Sequence, residues 1–192
     1  RGLLVSPTAS GKSFIIWLLT QWYGDCKTLI IVPTTSLVHQ MKSDFVEYGS
    51  DENDIHRIMS GQEKNTDCRI VVSTWQSLYK MRKDYFSQYD VVIGDECHLF
   101  KAKSLTSIMT KLIDCKYRFG FTGTLDGTQT HKLVLEGLFG RVKQFVRTRE
   151  LIDQDHLASF KIKALVLKYT DEEKKLVSKM KYQDEVDFIV SN

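Results

Sequence analysis

The segment Ser6-Pro7-Thr8-Ala9-Ser10-Gly11-Lys12-Ser13 stands between an apolar run, Gly2–Ser6, and a helix-period stretch that begins at Lys12. That arrangement suits phosphate. Successive backbone N–H groups in a tight loop, opening onto a helix N-terminus, surround an anion with donors. Lys12 brings an ammonium for phosphate oxygens, and Ser13 brings a hydroxyl for Mg2+. The pattern GxxxxGK[ST] is met at Gly11-Lys12-Ser13, although Ser6 stands at its opening Gly. Pro7, Thr8, Ala9, Ser10, Gly11, Lys12 and Ser13 are the expected binding residues. A plain strand-to-helix turn can also contain Gly-Lys-Ser, so the assignment needs a second group. Asp95-Glu96-Cys97-His98 supplies one at the end of the apolar run Asp90–Gly94. Adjacent residues leave a strand end in different directions. Asp95 can therefore hold the metal while Glu96 orients and deprotonates an attacking water. Cys97 and His98 make a poor metal site, because no second Cys/His pair sits at ligand spacing.

Three further polar clusters follow apolar runs. Thr122-Gly123-Thr124 ends Arg118–Thr122, and its hydroxyls suit a hydrogen-bonding relay to a neighbouring group. Pro33-Thr34-Thr35 and Ser73-Thr74-Trp75-Gln76 follow Thr28–Val32 and Arg69–Ser73. Hydroxyls and backbone N–H groups there can contact phosphates without reading bases. Trp75 either stacks on a base or packs at a domain edge.

The elements that must position these groups follow from the pattern. Most of the five strands are continuous apolar runs, as in a parallel sheet covered on both faces. Helix-period segments lie between them: Lys12–Tyr23 with Gly24 as C-cap, Ser36–Tyr48 with Gly49 as C-cap, Leu78–Phe86, Ser104–Asp114 and Thr130–Phe139. The alternation predicts an α/β fold, a mostly parallel, doubly wound sheet flanked by helices, with right-handed crossovers. Ligands of such sheets sit at the carboxyl ends of the strands, and all five polar clusters fall there. A short strand is expected near Ile55–Met59. Beyond Phe139 the pattern changes to strands at Arg141–Val146 and Phe160–Tyr169, a short helix near Arg149–Gln154, and a helix over Asp171–Val190.

Composition sets the remaining bounds. With 42% hydrophobic and 27% charged residues, the 192-residue chain is not a disordered tail. Residues 101–150 carry ten basic against four acidic side chains, either a footprint for phosphates or a solvated surface. No apolar run reaches the ~18 residues of a membrane span, so no membrane partner is expected. Cys26, Cys68, Cys97 and Cys115 are dispersed, without a CxxC or a secretion signal, and read as reduced thiols of a cytoplasmic protein. Arg1 opens the chain in place of Met, which suggests a segment of a longer protein.

In order, Ser6–Ser13, Pro33–Leu37, Ser73–Leu78, Asp95-Glu96-Cys97-His98 and Thr122-Gly123-Thr124 resemble motifs I, Ia, Ib, II and III of superfamily 2 helicases. The stretch Phe139–Lys163 resembles the segment after motif III in the DNA-translocating branch. Pro33 with its flanking Val32, Thr34 and Thr35, the Thr74-Trp75-Gln76 segment and the Asp-Glu-Cys-His box resemble the UvsW-type phage recombination helicases most specifically. The resemblance covers essentially the whole chain. It implies a RecA-like P-loop domain over residues 1–158, and over 159–192 a connecting strand and helix leading to a second RecA-like domain of the same polypeptide. It implies ATP and Mg2+ as cofactors, with Lys12 and Ser13 on phosphate and metal, Asp95 on the metal and Glu96 on the water. His98, Thr122 and Thr124 would couple hydrolysis to DNA movement. Thr34, Thr35, Thr74, Trp75 and Gln76 would line the track for branched or duplex DNA, mostly through its backbone. The location would be the host cytoplasm if the origin is a phage.

Two departures stand out: Ser6 and Ala9 where Gly is common, and Thr122 where many relatives have Ser. The second motor domain's arginine finger, worth about 10³–10⁵ in rate in phosphoryl transfer, is not within these residues. The chain alone is therefore expected to bind ATP weakly and hydrolyse it slowly. Alternatives are a restriction-type DNA translocase or an RNA helicase motor, which motor residues do not separate. A P-loop small-molecule kinase would need an acceptor pocket and a lid of arginines, and a non-catalytic module would not need Lys12, Asp95 and Glu96 together.

Overall fold

The structure, a computed structural model, describes residues 1–7, 9–59, 61–99, 102–125, 129–144, 146–155, 158, 163 and 168–191. They divide into two compact units, Arg1–Ala158 and Ser159–Asn192.

In the first unit the strands are β1 (Gly2–Val5), β2 (Thr28–Val32), β3 (Ile55–Ile58), β4 (Ile70–Thr74), β5 (Val91–Gly94), β6 (Tyr117–Thr122) and β7 (Val142–Gln144). They form a seven-stranded sheet in the order β3-β4-β2-β5-β6-β1-β7, and every pairing is parallel. The helices of this unit are α1 (Lys12–Trp22), α2 (Thr35–Glu47), α3 (Trp75–Leu78), α4 (Lys83–Phe86), α5 (Ala102–Lys111), α6 (Gln129–Phe139) and α7 (Thr148–Asp153).

The apolar runs read as buried strands because their residues serve two cores in alternation. Leu29, Ile31, Val71 and Val92 face a cluster with Leu78, Phe86, Ile108, Leu112, Leu135 and Phe139, drawn from α3 to α6 and the segments beside them. Ile30, Val32, Val72 and Ile93 face the other cluster, with Ile16 of α1 and Val38, Met41 and Phe45 of α2. Helices on both faces leave the two ends of the strands as the places for polar groups. The fold is the doubly wound, parallel α/β architecture that the pattern predicts, and it has the RecA-like form that the resemblance implies.

Gly120 of β6 marks a close approach. A Cβ there would lie 2.7 Å from Leu3 Cδ1 and 2.9 Å from two ring carbons of Phe139. Replacing Gly120 with Ala is expected to cost about 1–3 kcal/mol by overpacking. Denaturant unfolding of the variant checks this; unchanged stability would mean that α6 is free to shift.

Two helices of this unit depart from expectation. Leu78–Phe86 is not one helix but α3 and α4, because Arg82 takes an extended conformation (φ −71°, ψ 158°). Lys111 stabilises the break, donating to the carbonyls of Tyr79 at 2.6 Å and Met81 at 2.8 Å. Gly24, just beyond the Tyr23 C-cap, does not take the left-handed conformation that would close α1. Gly49, by contrast, turns the end of α2 with φ +104°. It lies just beyond the Tyr48 C-cap. Gly49 N–H reaches the Val46 carbonyl and Ser50 N–H the Phe45 carbonyl, a Schellman closure.

The second unit contains α8 (Asp171–Val177) and α9 (Tyr182–Ser191) where a single helix is expected. Thr170 opens α8 with a capping box to Glu173. Tyr169, just before it, donates to Glu185 at 3.1 Å and packs on Phe188, which draws α9 back. The expected strand Phe160–Tyr169 falls largely outside the described residues.

Candidate active site

After Val5 the chain turns through Ser6–Gly11 into α1. The loop is tied from within: Ser10 Oγ donates to the Pro7 carbonyl at 2.6 Å, which leaves the Ser6 hydroxyl to donate to Ser10 Oγ at 2.5 Å. Ala9 (φ 61°) and Gly11 (φ 80°) take left-handed conformations. With its Cβ, Ala9 bears a penalty of about 1–2 kcal/mol that Gly would escape, which is the physical sense of a Gly at that point. Gly11 caps α1 without a side-chain bond, so the N–H groups of the first turn have no intrahelical partner. Thr8 lies outside the described residues.

Lys12 is 10% exposed. Its Nζ donates to the carbonyls of Ser6 at 3.3 Å and Pro7 at 3.2 Å and pairs with Glu96 Oε1 at 3.6 Å. This pairing joins the loop–helix junction after β1 to the segment after β5, and β6 runs between those two strands. Asp95 N–H donates to the Ile31 carbonyl at 2.9 Å, extending the ladder with β2 one residue past Gly94. Asp95 is 7% exposed. Burial, and next the Glu96 charge, push its carboxyl up from 3.8 to about 6; a hydrogen bond from Glu96 N–H, at 2.9 Å, and the Lys12 charge act the other way.

Glu96 sits at φ 45°, a conformation that costs a non-Gly residue free energy and is tolerated where the surroundings hold it. Here they hold it by the carboxylate. Glu96 Oε2 accepts from Gly123 N–H at 3.3 Å and lies 3.4 Å from His98 Nδ1, while Oε1 faces Lys12. Thr122 Oγ1 donates its single proton to the Thr124 carbonyl at 2.6 Å, so the His98 Nδ1 beside it, at 2.7 Å, carries a proton of its own. That proton goes to Thr122, so His98 is hydrogen-bonded to Thr122 and touches Glu96 only as a close polar contact.

Ala9, Gly11, Lys12, Ser13, Asp95 and Glu96 line one cleft of about 510 Å³, together with Leu37 and Gln40 of α2. The hydroxyl of Ser13 and the carboxylate of Asp95 are oxygen donors of the hard kind that Mg2+ takes, and the rest of its shell is usually water and phosphate. That donor set fits the ion. Among the described residues, no group of three or more His, Cys, Asp or Glu forms a metal cluster. Cys97 is fully buried, and burial raises its thiol pKa far above the usual range.

Thr34 and Thr35 stand exposed at the start of α2, where Thr34 caps the helix by accepting from Leu37 N–H at 3.4 Å. Thr74 is buried at the end of β4, 3.0 Å from the Ser77 hydroxyl. Gln76 Nε2 donates to the Pro33 carbonyl at 3.4 Å, which places the two clusters side by side. Trp75 is half-buried, packed against the cluster that contains Leu78 and Phe86 and 6.2 Å from the Tyr79 ring. Along the sheet the strand ends therefore read β4 and β2 with Thr and Gln, then β5, β6 and β1 with the carboxylates, the relay and the loop.

Sequence reasoning missed Leu37, Gln40 and Tyr48, the last of which lies 3.2 Å from Ser13 Oγ. Their spacing puts them on one face of α2, but nothing in the pattern says that this face meets the loop.

Residues 1–127 match the family described as type III restriction enzyme, res subunit. The chain is 36% identical over 197 residues to an ATP-dependent DNA helicase, uvsW, of Enterobacteria phage T4, covering 98% of this chain and 39% of that protein. It is 30% identical over 175 residues to a DNA 3'-5' translocase, XPB2, of Sulfurisphaera tokodaii, covering 91% and 38%. A crystal structure of T4 UvsW superposes with a TM-score of 0.70 at 36% identity, over 100% of this chain and 39% of that one. The chain thus spans about two fifths of the length of these relatives.

Proposed function

The chain belongs to the family described as type III restriction enzyme, res subunit, and is a motor domain homologous to superfamily 2 helicases of the UvsW type; from that premise we propose that it binds ATP with Mg2+ and couples ATP hydrolysis to movement on DNA. The observation that carries the reading is the convergence of Lys12, Ser13, Asp95 and Glu96 on one cleft, although Lys12 and Asp95 are remote in the chain.

The roles follow from chemistry. The loop N–H groups and Lys12 hold phosphate oxygens. Ser13 and Asp95 hold Mg2+, which when bound draws charge from those oxygens. Glu96 orients the attacking water and takes its proton. The contact of Glu96 with His98, and the hydrogen bonds of His98 with Thr122 and of Thr122 with Thr124, connect that event to the neighbouring strand end. Thr34, Thr35, Thr74, Trp75 and Gln76 lie along the other half of the same rim and contact nucleic acid through its backbone. Residues 159–192 lead to a second motor domain in the whole protein. Unwinding or branch migration of recombination and replication intermediates is the activity proposed for that whole protein.

Lys12→Ala in the full-length protein tests the site. Loss of a charge-assisted bond to phosphate is expected to weaken ATP at least about tenfold, measured by equilibrium titration. Unchanged affinity would remove Lys12 from the site. Comparing ATPase stimulation by branched DNA, linear duplex and RNA separates the DNA motor from an RNA helicase.

A further inference from the structure

Ser13 is held from a direction that the nucleotide reading does not use. Its Oγ lies 3.2 Å from the hydroxyl of Tyr48, the residue that ends α2. Tyr48 is firmly placed. Its ring meets Phe14 edge-on at 5.2 Å and Trp17 at 5.8 Å, and Trp17 Nε1 donates to Ser50 Oγ at 2.9 Å. The Gly49 turn closes the helix directly behind it.

The bonding capacity of the hydroxyl decides what this contact does. A serine hydroxyl has one proton and two lone pairs. The bond to Tyr48 uses one of these three positions, whichever hydroxyl donates. At least one lone pair of Ser13 then remains, and the bond to Tyr48 restricts where it points. We propose that Tyr48 is a positioning residue for metal binding: its hydroxyl orients the Ser13 hydroxyl so that the remaining lone pair is presented to Mg2+. The inference rests on the reading of Ser13 as a metal ligand.

Tyr48→Phe in the full-length protein tests it, since the ring and its aromatic contacts are kept. The readout is equilibrium binding of a fluorescent ATP analogue, with EDTA and across a Mg2+ titration. The variant is expected to bind the metal-free nucleotide as the parent does and to need about fivefold more Mg2+ for half-saturation, the effect of one neutral hydrogen bond. In a Ser13→Ala background, adding Tyr48→Phe is expected to change nothing further. An equal loss of metal-free binding, an unaltered Mg2+ requirement, or the same fivefold effect in the Ser13→Ala background would each overturn the proposal. If Ser13→Ala alone leaves the Mg2+ requirement unchanged, Ser13 is not a ligand, and both the metal assignment and this inference fall.

Discussion

Glu96→Gln in the full-length protein is expected to keep ATP and lose turnover by about 10²–10⁴-fold, the range for a positioned general base. Gln is the same size, and its carbonyl can still accept from Gly123 N–H, which lies 3.3 Å from Oε2. What disappears is the base that takes the proton of water. Nucleotide affinity is expected to hold or rise, because Lys12 is now 3.6 Å from a carboxylate and the amide would not compete with phosphate for it. Single-turnover hydrolysis beside an equilibrium titration separates these quantities. Normal turnover in the variant would show that Glu96 does not activate water.

Asp95→Asn is expected to move activity and stability in opposite directions. Mg2+-dependent hydrolysis falls by at least about 100-fold, because a bound metal supplies several kcal/mol of charge stabilisation. The metal-free protein becomes more stable at neutral pH. Burial and the Glu96 charge raise the Asp95 carboxyl from 3.8 to about 6, so the folded state favours the protonated form. The stability contributed by that proton is complete below pH about 4 and is lost as pH rises through about 6. At 1.36 kcal/mol per pK unit, the difference is about 3 kcal/mol. Asn removes the buried charge yet keeps an oxygen for Glu96 N–H. The variant should therefore melt roughly 5–10 °C higher at pH 8 without metal, and the gap should close below pH 4. Equal melting temperatures at pH 8 would mean that water reaches Asp95 freely. Mg2+ on the unaltered protein would reduce the strain by neutralising Asp95, which a melting titration with the metal also reads.

Much of the fold was legible because a parallel sheet writes itself into sequence. Thr28–Val32 is apolar throughout since alternate residues enter different cores, and the strand at Thr28–Val32 is found at the expected bounds. Helix ends that depend on local geometry were legible where a Gly takes a left-handed turn, as at Gly49, and misleading at Gly24, which takes no such turn. The break between α3 and α4 was not legible. It is held by Lys111, an ammonium arriving from α5 some thirty residues later, and no local propensity records that.

The same division holds for the site. Residue types and their place after apolar strands named Lys12, Ser13, Asp95, Glu96, Thr122 and Thr124, because phosphate, metal and proton transfer each require a particular functional group, and the family resemblance added His98. Tertiary structure alone decided how these meet. Strand order sets β6 between β5 and β1, bringing Gly123 N–H and His98 onto one Glu96 oxygen and Lys12 toward the other. It also lays α2 against the loop, so that Leu37, Gln40 and Tyr48 join a site to which no motif assigns them. Chemistry is carried by side-chain identity and can be read from a list of residues. Distance between remote groups is set by the packing of the whole sheet, and only the folded chain contains it.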